Sequence, residues 1–303
     1  MFHRNILNKI ADKLPYVQNL KKLVKHNQSA LFVEPGHFYS PLVDTKHILE
    51  EEHIVFAEEK QLNGINLNEV AQWRLLENFK EYYRKLSFPE NPVEAVRYFY
   101  NNPLYSYSDA IFLFSMMLHH QPKRIIEIGS GFSSAAMLDV NEEFFNNSID
   151  ITFIEPYPEN LKNIIKPGDQ FTLLENKVQD VDINIFKSLQ ANDILFIDST
   201  HVAKTNSDVL FELFEILPLL NKGVKIHFHD IFYPFEYPRN WVIEENRSWN
   251  EIYFLRSFLM FNNSFKIITF NTFLQKNNIK WFEEHMPLCL KNTGGSCWLE
   301  KVV

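Results

Sequence analysis

From residue 124 onward the chain alternates short apolar runs with longer helix-compatible stretches, and this alternation limits the fold more than any other feature. The runs are "RIIEIG", "ITFIEP", "FTLLEN", "DILFID", "VKIHFHD", "FKIITFN" and "SCWLEKVV". They are short, bounded by turn residues and apolar at nearly every position, which suits strands covered on both faces. Strands separated by helices make βαβ units, and right-handed crossovers then set a mostly parallel sheet between two helical layers. An α/β, doubly wound fold is the expectation.

Upstream the pattern differs. "NEVAQWRLLENFKEYYRKL" places Val70, Trp73, Leu76, Phe79, Tyr83 and Leu86 at three- and four-residue steps, which predicts a helix. Before it, "ALFVEPGHFYSPLVD" is punctuated by Pro35, Gly36 and Pro41 and reads as an ordered loop. The stretch ending "DAIFLFSMMLHHQP" predicts an apolar helix lying on the sheet. These features divide the chain into an N-terminal helical and loop segment, 1–108, and a main domain, 109–303.

Bulk numbers narrow the function. With 303 residues, 46% of them hydrophobic, the chain can bury one large core. Its formal net charge of −8 argues against general attraction to nucleic-acid phosphates. The two cysteines, Cys289 and Cys297, lack the spacing of a zinc site or a disulfide framework. The basic start, "MFHRNILNKIADKLPYVQNLKKLVKH", has no apolar core of a leader, and no apolar run reaches the roughly 18 residues a membrane span needs. A cytoplasmic protein without a membrane span is expected, with the basic start as a helix packed by one face on its own domain. Contact with a membrane surface is the alternative for that helix. Nothing in the sequence specifies an oligomeric state.

In an open α/β sheet, ligands sit outside the carboxyl ends of the strands. There the sequence places Glu127-Ile128-Gly129-Ser130-Gly131, then Glu155-Pro156, Asp198-Ser199-Thr200-His201 and His227-Phe228-His229-Asp230. A dinucleotide's pyrophosphate needs backbone N–H groups, no nearby anion and a third glycine, where this chain has Ser134. S-adenosylmethionine carries no phosphate, and its cationic sulfonium and ammonium groups are drawn to acids; Glu127 therefore favours the methyl donor. Glu155 is placed to accept hydrogen bonds from ribose hydroxyls. Asp180, with Val181 beside it, is placed to meet the adenine, and Gln179 is an equally suitable residue.

At these residues the chain resembles the class I methyltransferases that use S-adenosylmethionine, over roughly residues 105 to 303. The resemblance rests on "IEIGSGFSS", "TFIEPYP", "VQDV", "DILFIDSTH" and "GVKIHFHDIFYPFEYP" in order. It is strongest to bacterial enzymes of surface-glycan and antibiotic-sugar biosynthesis, which methylate hydroxyl groups. The resemblance implies a Rossmann-like, seven-stranded sheet whose last two strands form an antiparallel pair. It also implies that Glu127, Gly129, Gly131 and Glu155 hold the cofactor; by their place at the strand ends Ser130, Asp180, Val181 and Asp198 are the further candidate contacts. Some sugar methyltransferases of this type bind magnesium through acids at the positions of Asp198 and Asp230. Here Thr200 and His229 stand where further acids would help, so no metal is expected.

O-methylation requires a group that takes the hydroxyl proton. His229 or His201 is the expected base, with Asp230 orienting an imidazole or the acceptor, a small molecule or glycan. Two other readings stand beside this one: a nicotinamide-dependent oxidoreductase, and a non-catalytic binding module of a glycan-assembly complex.

Overall fold

The computed structural model describes residues 14–29, 31–58 and 60–303. They fall into two compact units, one made of residues up to 56 with 239–248, the other of residues 57–238 with 249–303. The smaller unit contains helices α1 (Pro15–Ser29) and α2 (Thr45–Glu50), the latter capped by the Asp44 carboxylate, which accepts hydrogen bonds from the Lys46 and His47 amides. Residues 31–44 form the expected turn-rich loop. Among the described residues of 14–56 none is buried.

The larger unit is built on seven strands that coincide with the seven apolar runs. They are β1 (Arg124–Ile128), β2 (Asp150–Ile154), β3 (Thr172–Leu174), β4 (Ile194–Ile197), β5 (Lys225–His229), β6 (Phe265–Phe270) and β7 (Ser296–Lys301), in the order β3-β2-β1-β4-β5-β7-β6. The first five pair in parallel, while β7 runs antiparallel between β5 and β6. Burial of every residue of β4 and β5 confirms coverage on both faces. The fold is the expected Rossmann-like, doubly wound α/β sheet with an antiparallel C-terminal pair.

Residues 57–108 lie in this same unit, so the boundary placed near residue 108 does not coincide with the division between the two units. The reason is packing: α3 (Glu69–Tyr83) lies on α4 (Tyr107–His120) and on β6. Its buried face is Gln72, Leu76 and Phe79, and Val70 points outward at 65% exposure, one step away from the periodicity read in the sequence. Gln72 is the cause. Its side chain donates to the Leu67 carbonyl at 2.5 Å and accepts from the Phe270 amide at 2.7 Å, which rotates a polar residue inward and ties the helix to β6. The apolar helix α4 runs under the sheet with eleven residues buried, from Tyr107 to Met117.

Candidate active site

The glycine turn after β1 is set by contact with β4. Gly129 has φ +87°, and a Cβ there would lie 2.0 Å from the Asp198 carbonyl oxygen, so only glycine fits. The amide of Asp198 donates to the Ile128 carbonyl and that of Gly129 to the Ile154 carbonyl, which fixes the tips of β1, β2 and β4 against one another. Helix α5 (Phe132–Phe145) starts from Gly131. Ser134, at the position where a dinucleotide site has its third glycine, accepts a hydrogen bond from the Gly131 amide at 3.0 Å.

Glu127 departs from the expectation. It is fully buried, and its carboxylate accepts 2.5 Å hydrogen bonds from the Ser133 and Ser134 hydroxyls in the first turn of α5. Burial pushes its pKa up to about 8, against the lowering effect of the two serines. At neutral pH this side chain is largely uncharged and braces the turn. Fully buried and bonded to both serines, Glu127 holds the start of α5 against the end of β1.

A cavity of about 420 Å³ opens at the ends of β1, β2 and β4, lined by Gly129, Glu155, Pro156, Val178, Gln179, Asp198, Ser199 and Asp208 among others. Its size is that of a small-ligand site. Glu155 is half-buried, and burial raises its pKa although the Tyr157 and Ser130 amides donate to it. From the turn after β3 the wall takes Val178 and Gln179, not Asp180 and Val181. Asp180 closes a turn of 3₁₀ helix and is exposed, which carries it away from the wall. Gln179 is held by a hydrogen bond to the Asn206 carbonyl at 2.9 Å.

The Ser130 hydroxyl is buried with no partner, and the space beside Gly131 is open within 4 Å of where a Cβ would project. An orphan hydroxyl and a vacant flank at the turn, with Glu155 across the cavity, fit a nucleoside-bearing donor. Among the described residues no group of three His, Cys, Asp or Glu side chains is arranged to hold a metal.

Beyond Asp198 lies a second cluster. His201 Nδ1 is 2.7 Å from Glu251 Oε2, while its Nε2 is 3.5 Å from Asp198 and 3.6 Å from Asp230. Burial alone would lower the His201 pKa, but the Asp198 and Glu251 carboxylates outweigh it and hold it well above the ordinary value. Conversely, the His229 and His201 charges bring Asp198 down to about 2, against burial. The backbone of His201 (φ +59°) and Asp230 (φ +55°) is left-handed, a strained state for such residues that is commoner at functional sites. Asn250 and Glu251 hold it, both amides donating to the His201 carbonyl.

Glu251, at the start of α6 (Glu251–Leu259), and Glu212 were missed by the sequence reading. Glu212 is buried in a π-helical turn, Glu212–Ile216, and accepts a hydrogen bond from Ser199 at 3.2 Å. Burial, then the nearby Glu251 and Asp208 charges, raise its pKa well above the ordinary value. The available signal was acids at the starts of apolar helical stretches, and that is indistinguishable from ordinary first-turn capping.

The other imidazoles divide cleanly. His229 packs on Tyr105 with ring centres 5.2 Å apart, its Nε2 3.5 Å from Asp230 and its Nδ1 buried without a partner. Burial lowers its pKa, and Asp198 and Asp230 raise it further, leaving it above the ordinary value. His227 stacks on Phe196 at 3.9 Å, and burial lowers its pKa well below the ordinary value; it is core packing. Asp109 is also structural, its carboxylate binding the Asn271 side chain and the Gly295 amide.

Residues 126–231 match a family model described as a methyltransferase domain. An uncharacterized protein of Archaeoglobus fulgidus is 38% identical over 165 residues, which cover 53% of this chain and 75% of that protein. Among solved structures, the chain has distant likeness to the Podospora anserina methyltransferase PaMTH1 bound to S-adenosylhomocysteine (16% identity, TM-score 0.41, 76% of this chain and 88% of that one). A second is the O-methyltransferase TomG of Streptomyces achromogenes with S-adenosylmethionine (11% identity, TM-score 0.39, 85% and 96%). The family match spans the glycine turn, the strand-two acid and the β4 and β5 tips described above, so residues 126–231 form a methyltransferase domain.

Proposed function

We propose that the protein methylates a hydroxyl oxygen on a small-molecule or glycan acceptor, with His201 as the group that takes the hydroxyl proton. When bound, S-adenosylmethionine supplies an electrophilic methyl on a cationic sulfur. Glu155 binds the ribose, Val178 and Gln179 take the adenine side, and Gly129, Ser130 and Gly131 receive the methionine end. Asp198 belongs both to the cavity wall and to the His201 cluster, and this sharing is the observation that carries the proposal.

His201 is held in place by Glu251, which replaces Asp230 as the orienting acid: 2.7 Å against 3.6 Å. The Glu251 contact at Nδ1 directs Nε2 towards the gap between Asp198 and Asp230, where an acceptor hydroxyl meets it. A resting imidazolium cannot accept a proton, but a cation occupying the cavity beside Asp198 disfavours a second positive charge and loosens that hold. Asp230 then orients the acceptor. His229, lacking a close orienting partner, lines the far side.

The test compares glycans and metabolites of the parent organism with and without the gene by mass spectrometry. Loss of a methyl group from one hydroxylated product supports the reading. Thermal stabilisation by NAD(H) in place of S-adenosylmethionine and S-adenosylhomocysteine overturns it.

A further inference from the structure

We infer that Trp249 is a positioning residue for His201: its indole holds the imidazole in place and stabilises the positive charge that the imidazole carries once it has taken a proton. The inference rests on the reading of His201 as the base and extends it to a residue that carries no charge of its own. The indole and imidazole ring centres are 4.4 Å apart with their planes 36° from each other, within the range over which an aromatic face attracts a cation. His201 is buried, so little water competes, and such an attraction is stronger when desolvated than at a surface.

The backbone on either side delivers the indole to this place. Asn250 clasps Ala203, accepting from its amide at 2.6 Å and donating to its carbonyl at 3.2 Å, while the Asn250 and Glu251 amides donate to the His201 carbonyl. One stretch, residues 249–251, thus brings a ring to the imidazole and a carboxylate to its Nδ1. Half-buried Trp249 also meets Tyr237 edge-on at 6.0 Å, and Tyr237 is buried with its hydroxyl accepting from the Ile252 amide.

The charged neighbours of His201 divide from Trp249 by direction. Glu251 meets Nδ1, and Asp198 and Asp230 lie near Nε2, while His229 and Glu212 act from farther away. In the transfer, His201 Nε2 takes the hydroxyl proton, and the acceptor oxygen bonds the methyl carbon as the carbon–sulfur electron pair stays on sulfur. One positive charge is thereby lost at sulfur and one gained on the imidazole beside Trp249. An aromatic ring already in contact there stabilises the charge as it forms.

The experiment follows His201 in the full chain with S-adenosylhomocysteine bound, by NMR titration of 13C-labelled histidines, its signal being assigned by its absence in His201→Asn. Trp249→Leu should bring the His201 midpoint down by about half a pH unit, the loss of one cation–π contact. Trp249→Phe should recover most of that shift, and both variants should keep thermal stabilisation by S-adenosylhomocysteine. A second readout uses tryptophan emission, which an imidazolium in ring contact quenches. Parent and Trp249→Phe should differ in a pH-dependent component centred on the His201 midpoint, and the difference should vanish when both carry His201→Asn. An unmoved midpoint in Trp249→Leu, or no pH-dependent difference in emission, overturns the inference. So does Asn250→Ala lowering the midpoint as far as Trp249→Leu, because the effect then comes from a loosened clasp. Turnover that survives in His201→Asn is a separate failure: it overturns His201 as the base, while the titration still reads the ring contact by itself.

Discussion

Two groups of acids at neighbouring strand ends meet burial in opposite ways. At the tip of β1, Glu127 is sealed with only hydroxyl partners, and the cheapest response is to keep its proton. At the tips of β4 and β5, Asp198 and Asp230, with Glu251 from the start of α6, surround the His201 imidazole. Asp198 and Glu251 hold its pKa up against burial and the histidines bring Asp198 down to about 2, while burial still raises Glu251. Glu127 and Glu251 are both sealed from solvent, whereas Asp198 and Asp230 are partly exposed; what the second group adds is an imidazole within reach. An acid at a strand end is thus a charged group only when the structure supplies its counter-charge, and the same residue type braces a turn when it does not.

The largest effect that sharpens this contrast should come from His201→Asn, chosen because asparagine tolerates the left-handed backbone there. Removing the counter-charge should lower kcat by about 10²- to 10⁴-fold with little change in cofactor affinity, read from steady-state kinetics and calorimetry. Undiminished turnover would move the base to His229. Glu155→Ala should act on the other side of the division and weaken cofactor binding by about tenfold or more, the loss of charged hydrogen bonds.

Glu251→Gln keeps the shape and removes the carboxylate charge. The neutral imidazole fraction grows as pH rises through the elevated His201 pKa, so kcat should rise with pH in the parent protein, and the midpoint should move to lower pH in the variant. Recovery of the parent profile in Glu251→Asp would mark a charge effect and not a packing one. An unchanged midpoint would break the assignment of Glu251 as the positioning residue.

The smallest effect on affinity should be at Glu127. Glu127→Gln should alter S-adenosylmethionine binding by no more than about twofold, since a proton already masks the charge. Its signature is in stability. A folded pKa near 8 against an ordinary 4.5 means the native state binds more protons than the unfolded state between those values. Stability therefore falls as pH rises from about 4.5 to 8. The glutamine variant should lose part of that slope in urea denaturation midpoints measured across the window; an unaltered slope would mean that Glu127 is ionised.

The sheet was legible because its signal is repeated: seven apolar runs, each ending at a turn, constrain one another. The turn glycines were legible for the same reason, since Gly129 and Gly131 sit where a strand must feed a helix. Rotational detail was not, because Gln72 overrides the apolar periodicity of α3 through two specific hydrogen bonds. The roles of the acids were also out of reach. Sequence shows that Glu127 and Glu251 are carboxylic acids, but only spatial neighbours decide that one keeps its proton while the other grips His201. Likewise, Val178 and Gln179 replace Asp180 and Val181 because a short 3₁₀ turn shifts the wall by two residues.

The abutment of Gly129 on the Asp198 carbonyl has an evolutionary corollary. The glycine turn and the tip of β4 form a single rigid keel, so neither can drift without the other. The stretch that follows β5 is anchored too, with Phe235 and Tyr237 buried and the Tyr233 amide donating to the Thr272 hydroxyl.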